Sequence, residues 1–325
     1  MHTKQMTVGA DMSKQSFDVT VLGPDQKQIR RKFANKLSGF SELNQLVQSY
    51  GASSVVLAME ATGNYGEGLA LFCYSLGWTV LVLNPARVKA YGIAVGQKNK
   101  TDRADSLTIA QFAQSTPGLH PWAPRSAANQ ELSQLVRERL HLQKLLAGEQ
   151  CRLQTAKLWV KPMIQKRITF FEEQIQQLWK SIKQLLKKDP ELCRACELIS
   201  SIPGIGEWTA AVLLSELPPI DKKTSARPIA ALFGLCPRNR ESGTSVRGRT
   251  LSRGGRRVIS HQLYMPALAA LKHNALLRQW AAQLRQRGKK SKQIIAAVIH
   301  RLLRIVVGVL KNQAPFQVDW KGARS

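Results

Sequence analysis

The stretch MTVGADMSKQSFDVTVLGPDQKQIRRKF, residues 6–33, decides the fold. Residues 6–10 (MTVGA), 16–22 (SFDVTVL) and 28–33 (QIRRKF) each read as a short strand, and Gly23-Pro24-Asp25 marks a turn between the second and third. Three strands in direct succession make a meander. Beyond them Phe40, Leu43, Leu46 and Val47 recur at helical spacing over 38–50, and Gly51 closes that helix. Residues 54–59 (SVVLAM) form a buried-type strand ending at Glu60, a helix follows over 66–76, and Thr79–Leu83 is a second buried strand. After Asn84-Pro85 the chain reads as less regular, until Asp102 opens a helix bearing Leu107, Ile109, Ala110 and Phe112.

A meander followed by alternating helices and strands is the order of an RNase H-like α/β domain, expected over 1–120. Strands that are apolar on both faces need helices on both sides of a mixed sheet. Residues 121–190 are expected to be a long helical coiled-coil middle. Ile164, Ile168, Phe171, Ile175, Leu178, Ile182 and Leu185 alternate at four-three spacing, and Leu132, Leu135, Leu142, Leu146 and Leu153 do so before Lys161-Pro162. Such a stripe closes a hairpin on itself or joins two chains. Residues 191–325 read as a mainly α domain. It holds LISSIPGIGEWTAAVLLSEL (198–217), a candidate helix–hairpin–helix in which Gly204 and Gly206 permit a tight, phosphate-cradling turn. A helix over 226–235, a Gly/Ser/Arg loop over 237–255 and helices over 257–272 and 291–310 complete it.

The 325 residues carry a formal net charge of +27, very unevenly spread. Residues 220–325 hold 22 Lys+Arg against three Asp+Glu, the mark of a surface for polyanions. The five cysteines suggest no disulfide framework, and the Cys193/Cys196 pair lacks a second pair at zinc spacing, so both read as ordinary helical residues. No apolar run reads as a membrane span and the N-terminus lacks a signal-peptide layout, which predicts a cytoplasmic protein. Neither a P-loop nor a zinc finger is present.

Against this basic background four acids stand out: Asp11, Glu60, Asp102 and Asp105. Asp11 and Glu60 end strands that an RNase H-like order makes neighbours, and Asp102 and Asp105 share one face of the helix they open. Helix capping accounts for Asp102 taken alone but not for Asp11 or Glu60. Four carboxylates in one cleft repel unless cations lie between them, which predicts two Mg²⁺ ions serving phosphodiester chemistry. Asp18, in mid-strand, and Asp25, in a turn, are not favoured. A second constellation, RNRESGTSVRGR (238–249), sets Ser242 among arginines. Its bland reading is a phosphate-binding loop whose serines only donate hydrogen bonds.

GAD with Asp11, MEATGNY with Glu60, KTDRAD with Asp102 and Asp105, SIPGIG and RESGTSVRG together resemble the transposases of the bacterial insertion-sequence one-ten family, nearly end to end. The resemblance implies a RuvC-like DEDD domain in which Asp11, Glu60, Asp102 and Asp105 hold Mg²⁺. It also implies a phosphoserine intermediate on Ser242, with Ser245 as the fallback, and guidance by a structured bridge RNA. Donor and target DNA are the implied substrates, and a homodimer or homotetramer the implied assembly. Ser106 stands where that family usually has alanine, a small-for-small difference expected to matter little. Gly204, Gly206, Arg238, Arg240, Arg247, Arg249, Arg253, Arg256 and Arg257 are the candidate nucleic-acid contacts. Two other readings remain: a Mg²⁺-dependent junction nuclease that uses water, and a non-catalytic nucleic-acid scaffold.

Overall fold

A computed structural model of the chain describes residues 5–23, 28–61, 65–96, 102–222, 224–242, 246–251 and 257–317. Two compact units divide it, Met1–Pro124 and Arg125–Ser325.

The first unit runs β1 (Gln5–Met12), β2 (Ser16–Leu22), β3 (Gln28–Ala34), α1 (Leu37–Ser49), β4 (Ser54–Glu60), α2 (Glu67–Ser75), β5 (Thr79–Leu83), α3 (Pro85–Ala94) and α4 (Asp102–Ser115). The sheet order is β3-β2-β1-β4-β5, with β1, β2 and β3 antiparallel and β1, β4 and β5 parallel. This is the mixed sheet expected of the meander followed by alternating helices and strands. Met6, Val8 and Ala10 of β1, Phe17 and Val19 of β2, and Leu57 and Met59 of β4 bury one face against α1 and α2. The other face carries Thr7, Gly9 and Asp11 of β1, by the two-residue side-chain period. There Ala58, Leu81 and Leu83 pack against Val88 of α3 and Ile109 and Phe112 of α4.

The irregular stretch expected after Asn84-Pro85 is instead α3. Its start follows ordinary capping chemistry: the Asn84 side chain accepts from the Ala86 N–H at 2.9 Å, and Pro85 occupies the first turn.

The second unit runs α5 (Ala127–Thr155), α6 (Lys161–Lys188), α7 (Pro190–Ser200), α8 (Glu207–Glu216), α9 (Ala226–Leu232), β6 (Pro237–Ser242), β7 (Val246–Leu251), α10 (Arg257–Gln262), α11 (Tyr264–His273), α12 (Ala275–Gln286) and α13 (Ser291–Asn312). Helices α5 and α6 pack along each other, and Ile164, Ile168, Ile175, Ile182 and Leu185 of the four-three stripe are buried within the chain. Leu132 and Val136 of α5 share one core with α7, α8 and α13, so the long helices are continuous with the helical body that follows. Trp208 of α8 and Trp179 of α6 meet edge to face at 5.7 Å, and the Arg139 guanidinium stacks 3.9 Å from the Trp208 ring centre, tying α5, α6 and α8 together.

Three further expectations are corrected. The Gly/Ser/Arg loop over 237–255 contains a two-stranded antiparallel ribbon, β6–β7. The single helix over 257–272 is broken at Leu263 into α10 and α11, and α12 follows, started by Asn274, whose side chain accepts from the Leu277 N–H at 3.2 Å. Finally, α13 is by length and composition apolar enough to cross a membrane. Its stripe, including Ile294, Val298, Leu302, Val306 and Val309, is buried in the core of the second unit.

Candidate active site

Ala10 of β1 pairs with Met59 of β4 in parallel register, and both belong to the core face. The next residues, Asp11 and Glu60, therefore stand side by side on the opposite face, at the ends of adjacent strands. Both are half-buried. The helix that covers this face is α4, and Gly9 decides how close it comes. A Cβ at Gly9 would lie 2.2 Å from the Ser106 carbonyl oxygen and 2.6 Å from the Ala110 nitrogen. Only a glycine lets the α4 backbone rest directly on β1. Asp105, half-buried, adjoins that contact, and Gly9 lies two residues before Asp11 on the same face. The strand ends thus set Asp11 beside Glu60, and Asp105 lies on the helix that covers their face. The backbone of Asp102 opens α4, while its side chain lies outside the described residues.

Asp18, set aside in the sequence because it lies in mid-strand, is the direct cross-strand partner of Asp11 and shares its face. Like charges opposite one another in a ladder destabilise it. The other ladder neighbour of Asp18 is Lys32, whose Nζ lies 3.6 Å from its carboxylate. The signal for Asp18 was present in the tight turn at 13–15, which fixes the register once the turn is placed.

Ser106 lies at the same helix–strand contact. It is 1% exposed, and its hydroxyl lies 2.9 Å from that of Thr20, itself fully buried. Thr20 is the cross-strand partner of Gly9. An alanine at 106 would remove the hydroxyl that meets Thr20.

All these acids offer carboxylate oxygens, the donor set of a hard divalent cation. Among the described residues no three His, Cys, Asp or Glu side chains converge as a ready metal cage. The donors fit a hard divalent cation in kind, and the side chain of Asp102, the fourth member, lies outside the described residues.

In the second unit Ser242 is the last residue of β6, in register with Val246. The ladder pairs Arg240 with Gly248, Arg238 with Thr250, Glu241 with Arg247 and Asn239 with Arg249, while the side chains of this ribbon lie outside the described residues. Ser245, Arg253 and Arg256 lie outside the described residues, and Arg257 opens α10. Gly204 has φ +98°, and a Cβ there would come within 2.7 Å of the Ala270 nitrogen of α11, so close packing already requires this glycine. Gly206 precedes α8, exposed, with open space around it. Burial pushes the Cys196 thiol up to about 11, as befits an inert helical residue. The stretch Arg285–Lys292 turns from α12 into α13 with Arg285, Arg287, Lys289, Lys290 and Lys292 exposed, a basic cluster that sequence reading did not single out.

An acid-bearing mixed sheet in the strand order β3-β2-β1-β4-β5 and a strongly basic, mainly helical unit thus stand in one chain. Residues 8–156 match the DEDD transposase family model, and residues 196–282 match that of the transposase IS116/IS110/IS902 family. The pilin gene-inverting protein of Moraxella bovis is 32% identical over 314 residues, covering 95% of this chain and 97% of its own. The transposase of insertion sequence element IS1328 from Yersinia enterocolitica is 24% identical over 266 residues, covering 73% and 75% of the two chains. Among solved structures, T. thermophilus RuvC in complex with a Holliday junction matches 36% of this chain and 99% of its own at 12% identity and TM-score 0.28. The chain belongs to the IS110 family of transposases.

Proposed function

We propose that this protein is an RNA-guided DNA transposase that cuts and rejoins strands through a covalent phosphoserine intermediate. The observation that carries the reading is the register of β1 with β4, which sets Asp11 beside Glu60 on the face that α4 covers with Asp105. Asp11, Glu60, Asp102 and Asp105 would hold two Mg²⁺ ions. Bound there, the ions supply charge neutralisation for a phosphodiester undergoing displacement.

Ser242 is the nucleophile in this reading. Its Oγ forms a bond to phosphorus, one P–O bond of the DNA breaks, and the departing deoxyribose oxygen leaves as an alcohol while the serine proton passes to a base. The phosphodiester energy stays in the Oγ–P bond, so strand rejoining reverses the step with a different alcohol and needs no ATP. Arg238 and Arg240, on the same strand as Ser242, supply positive charge for the attacked phosphate. Arg247, Arg249, Arg253, Arg256 and Arg257, with the turn at Gly204 and Gly206 in a helix–hairpin–helix role, grip nucleic-acid backbone.

The sequence choice is delegated to a structured guide RNA, in keeping with the lack of a base-reading module in the sequence. The acids and the serine lie in separate units of the chain, which favours a composite site between protomers of a homodimer or homotetramer in the bacterial cytoplasm. The name of the Moraxella bovis relative, a pilin gene-inverting protein, supports a reading of this chain as one that rejoins the strands it cuts.

Cleavage of element-end DNA with the guide RNA and Mg²⁺ tests the reading. The wild type should yield DNA bound covalently to protein, and Ser242→Ala should yield none. Continued cutting by Ser242→Ala without an adduct would make the protein a water-using nuclease. No Mg²⁺-dependent cutting by the wild type would make it a scaffold.

A further inference from the structure

Helix α4 carries Asp102 and Asp105, and what holds it on the sheet therefore sets where those acids stand. The contact with Gly9 is backbone against backbone. It limits how near the helix can come but offers a smooth surface, which does little to stop the helix sliding or rolling. A slide of one residue is about 1.5 Å, far beyond the roughly 0.2 Å tolerance of metal–ligand distances.

One directional link crosses the same place. Ser106 follows Asp105 directly, its carbonyl sits over Gly9, and its hydroxyl meets that of Thr20 at 2.9 Å. Thr20 is the register partner of Gly9 on β2, and Asp18, two residues before it, is the register partner of Asp11. The link is thus tied to the same strand pair that carries Asp11. With Ser106 1% exposed and Thr20 0% exposed, water cannot substitute for either partner once the helix shifts.

We propose that Ser106 and Thr20 are positioning residues: their buried hydroxyl pair locks α4, and Asp105 with it, in one register over the sheet face that carries Asp11. The proposal rests on the reading of these acids as the metal-holding set.

The test is titration of the full-length protein with Mn²⁺, read by the free-ion paramagnetic resonance signal, beside urea unfolding of every variant. Ser106→Ala and Thr20→Val should each weaken Mn²⁺ binding about tenfold or more, as removing a partner that orients metal ligands commonly does. Thr20→Ser keeps the hydroxyl and should bind as the wild type. The double variant should bind no worse than the weaker single one, since both remove the same link. Asp11→Asn is the control and should lose binding. Wild-type Mn²⁺ affinity in Ser106→Ala and Thr20→Val, with Asp11→Asn deficient, overturns the positioning role, including where the two variants are destabilised. Unchanged binding by Asp11→Asn instead overturns the metal reading beneath it, and the proposal falls with it.

Discussion

Replacing Gly9 with alanine is the smallest perturbation that reaches the acid site without touching an acid. The new Cβ would lie 2.2 Å from the Ser106 carbonyl oxygen, 2.6 Å from the Ala110 nitrogen and 2.8 Å from the Ala110 Cβ. Two of these three atoms are helix backbone, so no side-chain rotation relieves the overlap. Ordinary contact begins near 3.4 Å, and α4 must therefore retreat by roughly 1 Å. Overpacking of this kind costs about 1–3 kcal/mol. The retreat also lengthens the Ser106–Thr20 bond of 2.9 Å beyond useful range, adding about 1 kcal/mol. Displacement of catalytic groups by about 1 Å lowers rates on the order of 100-fold. We expect Gly9→Ala to lower the urea midpoint of the first unit by an amount equivalent to about 2–4 kcal/mol. Covalent adduct formation should slow roughly 100-fold. A variant with wild-type midpoint and wild-type adduct rate would refute the idea that α4 rests on Gly9 and carries the acid geometry.

Other perturbations probe separate parts of the molecule. Arg125 donates to the carbonyls of Ser215 and Glu216 in the last turn of α8, so Arg125→Ala should cost about 1–3 kcal/mol in urea unfolding of the second unit, and no change would contradict its role. Burial, aided by Arg304, holds the pKa of His300 below its usual 6.5. The unfolded chain then takes up a proton that the folded one refuses, so stability falls as pH drops below about 6.5. His300→Gln should flatten that acid-side decline, and identical pH profiles for both proteins would count against it. Changing Lys289, Lys290 and Lys292 to glutamine removes three exposed cations from the α12–α13 turn. For every phosphate that these lysines neutralise, the substitution should reduce the slope of log K against log salt by roughly 0.9 on duplex DNA, and an unaltered slope would show the turn to be free of phosphate.

The parts of the fold that were legible share a physical cause. Strands β4 and β5 have helices on both faces, so their apolar runs announce themselves without regard to turns. Asp11 and Glu60 were legible because they interrupt such runs at their ends. Helix α3 was missed although Asn84-Pro85 is a strong start signal, because its apolar face is weak: only Val88 and Gly92 are buried. The β6–β7 ribbon reads as a loop in sequence because glycine, serine and arginine dominate its composition, and pairing between strands leaves no mark in such a stretch. What Asp18 and Ser106 stand opposite, Asp11 and Thr20, is hidden for a different reason: it is a property of register and helix seating that no local window contains.

The most direct measurement is mass spectrometry of the protein recovered from a Mg²⁺ reaction with element-end DNA and guide RNA. A peptide carrying a nucleotide phosphodiester on Ser242, present in the wild type and missing from both Ser242→Ala and Asp11→Asn, is the predicted result. A nucleotide on any other residue, or an undiminished Ser242 adduct in Asp11→Asn, would contradict an active site that needs the acids and this serine together.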